Sequence, residues 1–195
     1  ASDQATTGIG SGTNPYRHKD AVYALPGLDE WYKSAYYDGT TNTYYDFPTG
    51  SNTTPTAVAS GTGANEVVYD QPLFVFNPSL TFTEPADVDN AGGESPYGTV
   101  AQGGNVWDFL ETSEDGTNAT PGATRIIAGG AWTGDSTDLE AVQFGFGGTP
   151  GESSVLNPDA QSDATGFRVA ILPEPSSSLM IIAFAVSTLL QRRRS

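Results

Sequence analysis

The apolar positions of this chain fall in short, sharply bounded runs, and one stretch repeats them at helical spacing. Pro26, followed by Leu28, Trp31, Tyr32 and Ala35, predicts a helix with the proline in its first turn, where a missing N–H is harmless, and a stop at Asp38-Gly39. Elsewhere the pattern is that of brief strands. Val67, Val68 and Tyr69 predict one that ends at Asp70. Arg125 to Trp132 predicts another, in which Gly129-Gly130 lets a second backbone press close. Val22 to Leu25 reads as a lead into the body, and Leu73 to Phe82 as a further strand or an aromatic-lined loop. The polar, glycine-rich segments 1–20 and 51–63, the acidic segment 85–93 and the polar segment 113–122 read as irregular chain.

The densest stretch runs from Tyr97 to Phe109. Gly103-Gly104 predicts a sharp bend that delivers Asn105 into a confined spot. Trp107 and Phe109 alternate with Val106 and Asp108, the period of a strand with one buried face. Spacing alone favours ordinary roles, with Asn105 bonding inside its own loop and Asp108 facing water. The same amide, carbonyls and carboxylate also suit a hard cation such as calcium, which takes six to eight oxygens.

Four blocks carry a family resemblance. Gly104-Asn105-Val106-Trp107-Asp108-Phe109 resembles the Gly-Asn-Val-Trp-Glu-Trp element of the formylglycine-generating-enzyme (sulfatase-modifying factor) family. Leu25 to Lys33, with Trp31, is similar to that family's Leu-Pro-Thr-Glu-x-Glu-Trp helix start. Arg125 to Trp132, with Gly129, Gly130 and Trp132, is similar to its Arg-x-x-Arg-Gly-Gly-Ser-Trp strand, and Gly166-Phe167-Arg168 to its closing Gly-Phe-Arg strand. All four keep the family's order. The resemblance implies an α+β fold, a variant of the C-type lectin fold with short strands and long irregular loops, over residues 21–171 behind an irregular segment 1–20. The family's opening portion has too little room before Ala24, so the chain reads as the C-terminal portion of such a domain.

The departures from the family are informative. Gly27 and Leu28 stand where it shows Thr or Ser and then Glu, which predicts a helix start weakened by roughly 1 kcal/mol. The family's calcium loop falls on Ala101, Gly104, Val106 and Asp108; Ala101 has no side-chain oxygen and Asp108 is shorter than Glu. The resemblance therefore implies a weakened or empty calcium site, with Gly104 and Val106 offering carbonyls and Asp108 a carboxylate. In active members the segment matching Thr133 to Gly151 carries a pair of copper-binding cysteines, and here it has none. No other side chain replaces a copper–thiolate centre, so neither copper nor formylglycine-generating catalysis is expected.

Composition narrows the rest. A length of 195 residues suits one domain with tails, and 23 glycines with 11% aromatics suit a turn-rich, aromatic-cored body. Eight basic against 23 acidic residues, a net charge of −15, exclude nucleic acid as a partner, because counterion release needs a basic footprint. Cysteine is absent and His18 is the one histidine, which excludes disulfides, thiolate chemistry and histidine-rich metal centres. No catalytic set can be assembled. An enzyme of unknown chemistry is the alternative reading, with Asp108 and Asp135 as its candidate acids. The tyrosines at 44–45 suit a core edge, or less readily a surface for stacking sugars.

The tail carries its own signal. Pro173-Glu174-Pro175, an apolar run over Leu179–Leu190 and the final Arg192, Arg193 and Arg194 resemble a PEP-CTERM sorting signal, read by an exosortase. The run reaches about 18 Å as helix, short of the roughly 30 Å hydrocarbon core unless the preceding serines join it, giving a transmembrane segment near 177–190. The resulting expectation is an exported protein, anchored in the membrane and then released to the cell surface or matrix. There it would act as a binding or structural module for an extracellular glycan or protein.

Overall fold

The computed structural model describes residues 21–71, 84–116, 122–144 and 155–171. Among these residues there is one α-helix, α1, which spans Leu28–Tyr36 and turns Trp31, Ala35 and Tyr36 inward. Pro26 lies ahead of the cap residue Gly27 and not in the first turn. The weak start expected from the missing hydroxyl is offset from two directions. Glu30 Oε2 accepts from the Gly27 N–H at 2.8 Å, and Thr112 Oγ1, from a distant strand, accepts from the Leu28 N–H at 2.8 Å. Asp29 and Glu30 also place negative charge in the first turn, so the helix dipole is complemented after all.

The described strands are short: β1 (Tyr23–Ala24), β2 (Tyr37–Asp38), β3 (Thr43–Tyr44), β4 (Thr56–Ala57), β5 (Glu66–Val67), β6 (Trp107–Ser113), β7 (Arg125–Ala128), β8 (Val155–Leu156), β9 (Thr165–Phe167) and β10 (Ala170–Ile171). Four of them form the central sheet in the order β8-β7-β6-β9, with β6 antiparallel to β7 and parallel to β9. The rest pair two by two, β1 with β10, β2 with β3, and β4 with β5. The segment 51–63 is thus no free linker: β4 pairs in parallel with β5, and the Tyr69 hydroxyl donates to the Pro55 carbonyl at 2.6 Å. The strand expected over Val67 to Tyr69 is confined to Glu66–Val67, and the one expected to Trp132 ends at Ala128, because Gly129 and Gly130 turn away with φ of 94° and 80°. Leu73 to Phe82 lies outside the described residues.

Strand β6 also reverses the expected facing of its side chains. Asp108 and Leu110 point into the core, 4% and 0% exposed, while Trp107 and Phe109 are half-buried. Leu110 packs with Trp31, Ala35, Tyr36 and Ile126. A second cluster gathers Val68, Ala91, Ala101 and Trp132, with Trp107 against it, and a third joins Phe47, Val67, Tyr69 and Leu139. Among the described residues no helix is long and apolar enough to cross a membrane. The expected sorting signal, Pro173, Glu174, Pro175 and Arg192 to Arg194, lies outside them.

Candidate functional site

The loop from Thr99 to Val106 is bonded to the chain at Ser34, Val68, Ala86, Gly129 and Trp132. Gly104 sits at φ 67°, and a Cβ there would run into the Val68 carbonyl, so the bend is open to glycine alone. Its N–H donates to the Gly129 carbonyl at 2.6 Å, the close backbone approach that the second glycine pair was expected to allow. Asn105, at φ 63° and 5% exposed, does not bond inside its own loop. Its N–H reaches the Val68 carbonyl at 2.7 Å, and its carbonyl accepts from the Trp132 N–H at 2.8 Å. Its side-chain amide pairs with both backbone groups of Ala86, accepting at 2.7 Å and donating at 3.1 Å. One left-handed residue thereby cross-links three segments.

Asp108 is the charged centre. The Trp31 indole N–H donates to its Oδ2 at 2.8 Å, and Arg168 Nε donates to the same oxygen at 2.7 Å. The Arg168 Nη2 donates to the Val100 carbonyl at 2.7 Å and to the Ala101 carbonyl. The central sheet aligns these partners: Asp108 stands opposite Ala128 on β7 and Gly166 on β9, and Arg168 follows β9 directly. Gly166 has little spare room, since a Cβ there would lie 3.0 Å from Val106. Burial pushes the Asp108 carboxyl above its ordinary value, and the Arg168 charge and the two N–H donors pull it back only in part.

The structure therefore brings Trp31, Arg168 and Asp108 together and places Asn105, Gly129 and Trp132 beside them. Phe167 stands apart, 70% exposed on the outer side of β9. Sequence reasoning did not single out Gln102, which is 2% exposed and bridges the loop to α1, accepting from Thr99 Oγ1 at 2.7 Å and donating to Ser34 Oγ at 3.1 Å. Its position between Ala101 and Gly103 was the available signal, a long amide within a tight bend. Thr112 was also missed, because its cap role acts on a helix start 84 residues away.

A divalent cation needs several oxygens converging with no positive charge among them. Here the Asp108 oxygen and the Ala101 carbonyl both face one guanidinium, so the carboxylate that a calcium ion would need at this loop is already paired with a positive charge. Among the described residues no three His, Cys, Asp or Glu side chains gather as a metal set. Asp135, the other candidate acid, is an exposed cap, with Oδ1 accepting from the Thr137 N–H at 2.8 Å and from its hydroxyl at 2.5 Å. These bonds hold its carboxyl below the usual range, the opposite of a poised proton donor. An open groove of about 400 Å³ runs past Leu25, Phe109, Leu156 and Phe167, with Ser162 and Thr165 at its side and, among the described residues, no titratable group in its wall.

Among curated proteins none matches the chain. Among solved structures, Treponema denticola variable protein 1 is similar at 19% identity and a TM-score of 0.44, over 77% of this chain and 48% of its own length. This chain therefore spans about half of that protein. The model of the Sulfatase-modifying factor enzyme 1-like domain matches residues 5–172. With nearly the whole length matched and the Gly-Asn-Val-Trp, Gly-Gly-Ala-Trp and Gly-Phe-Arg blocks converging on one loop, the chain belongs to the sulfatase-modifying factor enzyme 1-like family.

Proposed function

We propose that this chain is an exported, non-catalytic member of its family, a C-type-lectin-like body that serves as a binding or structural module outside the cell. The observation that carries the reading is chemical: the segment Thr133 to Gly151 contains no cysteine, nor does any other part of the sequence. A copper–thiolate oxidation has no ligand here. The two candidate acids support the same reading, since Asp108 is bound up with Trp31 and Arg168 and Asp135 caps a 3-10 turn. The decisive assay supplies copper, oxygen and a cysteine-containing sulfatase-motif peptide. No formylglycine should form, and turnover would overturn the proposal.

Export rests on the tail. In this proposal an exosortase-type enzyme reads Pro173-Glu174-Pro175, the apolar segment holds the chain in the membrane until cleavage, and Arg192 to Arg194 stay on the cytoplasmic side. Mass spectrometry of the mature protein should find a C-terminus near Pro175; a protein still ending in Ser195 would point to a permanent anchor. The partner would be an extracellular glycan or protein. Glycan and matrix-protein arrays should give specific binding, whereas activity in a broad hydrolase and oxidase screen would favour the enzyme of unknown chemistry.

A further inference from the structure

We propose that Arg168 is the internal counter-ion of the 100–108 loop, closing it as a bound cation closes a calcium loop, so that this protein folds and keeps its loop without calcium. One guanidinium gathers three acceptors, Asp108 Oδ2 and the carbonyls of Val100 and Ala101. Asp108 is the carboxylate that a hard cation at this loop would need, and the carbonyls of Val100 and Ala101 stand in for the further oxygens such an ion would collect. A planar fork of five N–H groups can meet it bond by bond, whereas an ammonium cannot span it.

Two residues of this chain make room for the exchange. Ala101 brings no side-chain oxygen, and its left-handed backbone, φ 53°, coincides with a carbonyl that accepts from the guanidinium. Asp108 is one methylene shorter than Glu, and at this length its Oδ2 meets Arg168 Nε at 2.7 Å. Trp31 donates to the same Oδ2 and fixes the carboxylate's orientation. The arginine is itself held in place, because β9 pairs with β6 in register, Gly166 against Asp108. A second cation entering beside it would meet a fixed positive charge over a site that is 5% exposed on the Asp108 side.

The test uses the full chain and needs no ligand assay. Thermal unfolding in EDTA and in millimolar calcium, at matched ionic strength, should give the same Tm, and terbium should show no saturable luminescence sensitised by tryptophan. Arg168→Met should lower Tm by on the order of 10 °C in both buffers, because it strands a buried carboxylate. Arg168→Lys should recover only part of that loss. A Tm that rises with calcium but not magnesium, or terbium luminescence that disappears in Asp108→Asn, would overturn the proposal, as would an Arg168→Met protein as stable as the parent. If Arg168→Met does not fold, the Lys variant and the parent's calcium response still decide the matter. Neither readout depends on whether the protein is exported or catalytic.

Discussion

Tyr36 is fully buried, and its hydroxyl donates to the Leu139 carbonyl at 3.0 Å, tying α1 to the 3-10 turn at Ser136–Leu139. Burial first, and then the neighbouring Tyr32 and Glu140, hold its phenol well above the ordinary value of 10.0. The unfolded chain therefore releases this proton at a lower pH than the folded one, so the stability Tyr36 contributes is complete below pH 10 and declines as pH rises above it. Tyr36→Phe should cost about 1 kcal/mol at neutral pH and flatten the alkaline limb of a denaturation series. Gly104 tests the backbone in the same way. Its left-handed φ and the clash an added Cβ would make with the Val68 carbonyl predict that Gly104→Ala loses more than about 2 kcal/mol, whereas Gly116→Ala, whose Cβ would meet nothing among the described residues, loses only the left-handed strain of about 1 kcal/mol; urea midpoints would separate them. At this scale the glycine pairs were legible, because a bend leaves a local mark. The fate of Asp108 was not. Its partners Trp31 and Arg168 lie 77 and 60 residues away in sequence, and a period-2 pattern cannot say which face of a strand meets an arginine.

Helix α1 shows how an element can lack its own cap and still begin cleanly. The Thr112 hydroxyl belongs to β6, yet it accepts from the Leu28 N–H, and the Glu111 N–H donates to the Pro26 carbonyl at 3.0 Å. The start of α1 is therefore set by the central sheet. Thr112→Val should lose about 1 kcal/mol in chemical denaturation, as a deleted N-cap does, and Thr112→Ser should keep most of it. Equal stability for the Val variant would mean that Glu30 alone suffices. The helix was legible because Leu28, Trp31, Tyr32 and Ala35 span enough residues to display a 3.6 period. The pairing of β4 with β5 was not, since two-residue strands cannot display a period of two and their order comes from side chains elsewhere, such as Tyr69 on Pro55 and Thr49 on Asn65.

Across the whole molecule, a net charge of −15 is held together by few cations. Where one of them is placed with care, as Arg168 is, its side chain is only 26% exposed and its partner 5%, so salt reaches that pair poorly. The many exposed carboxylates behave differently, because their mutual repulsion acts over long distances and raises the free energy of the compact state. Raising ionic strength from about 0.01 M to about 1 M shortens the screening length from about 30 Å to about 3 Å, which removes most of that repulsion and little of the Asp108–Arg168 attraction. Sodium chloride should therefore raise Tm steadily, with the steepest gain at low salt. Sodium and calcium salts compared at equal ionic strength should overlap if screening is the whole effect, while a calcium excess would mark a bound ion. If the tail is cut after Pro175, the body loses Arg192, Arg193 and Arg194 and keeps all 23 of its acidic residues. The processed form should then climb more steeply with salt than the full chain, and differential scanning calorimetry of the two forms side by side would show whether charge at this scale is what limits its stability.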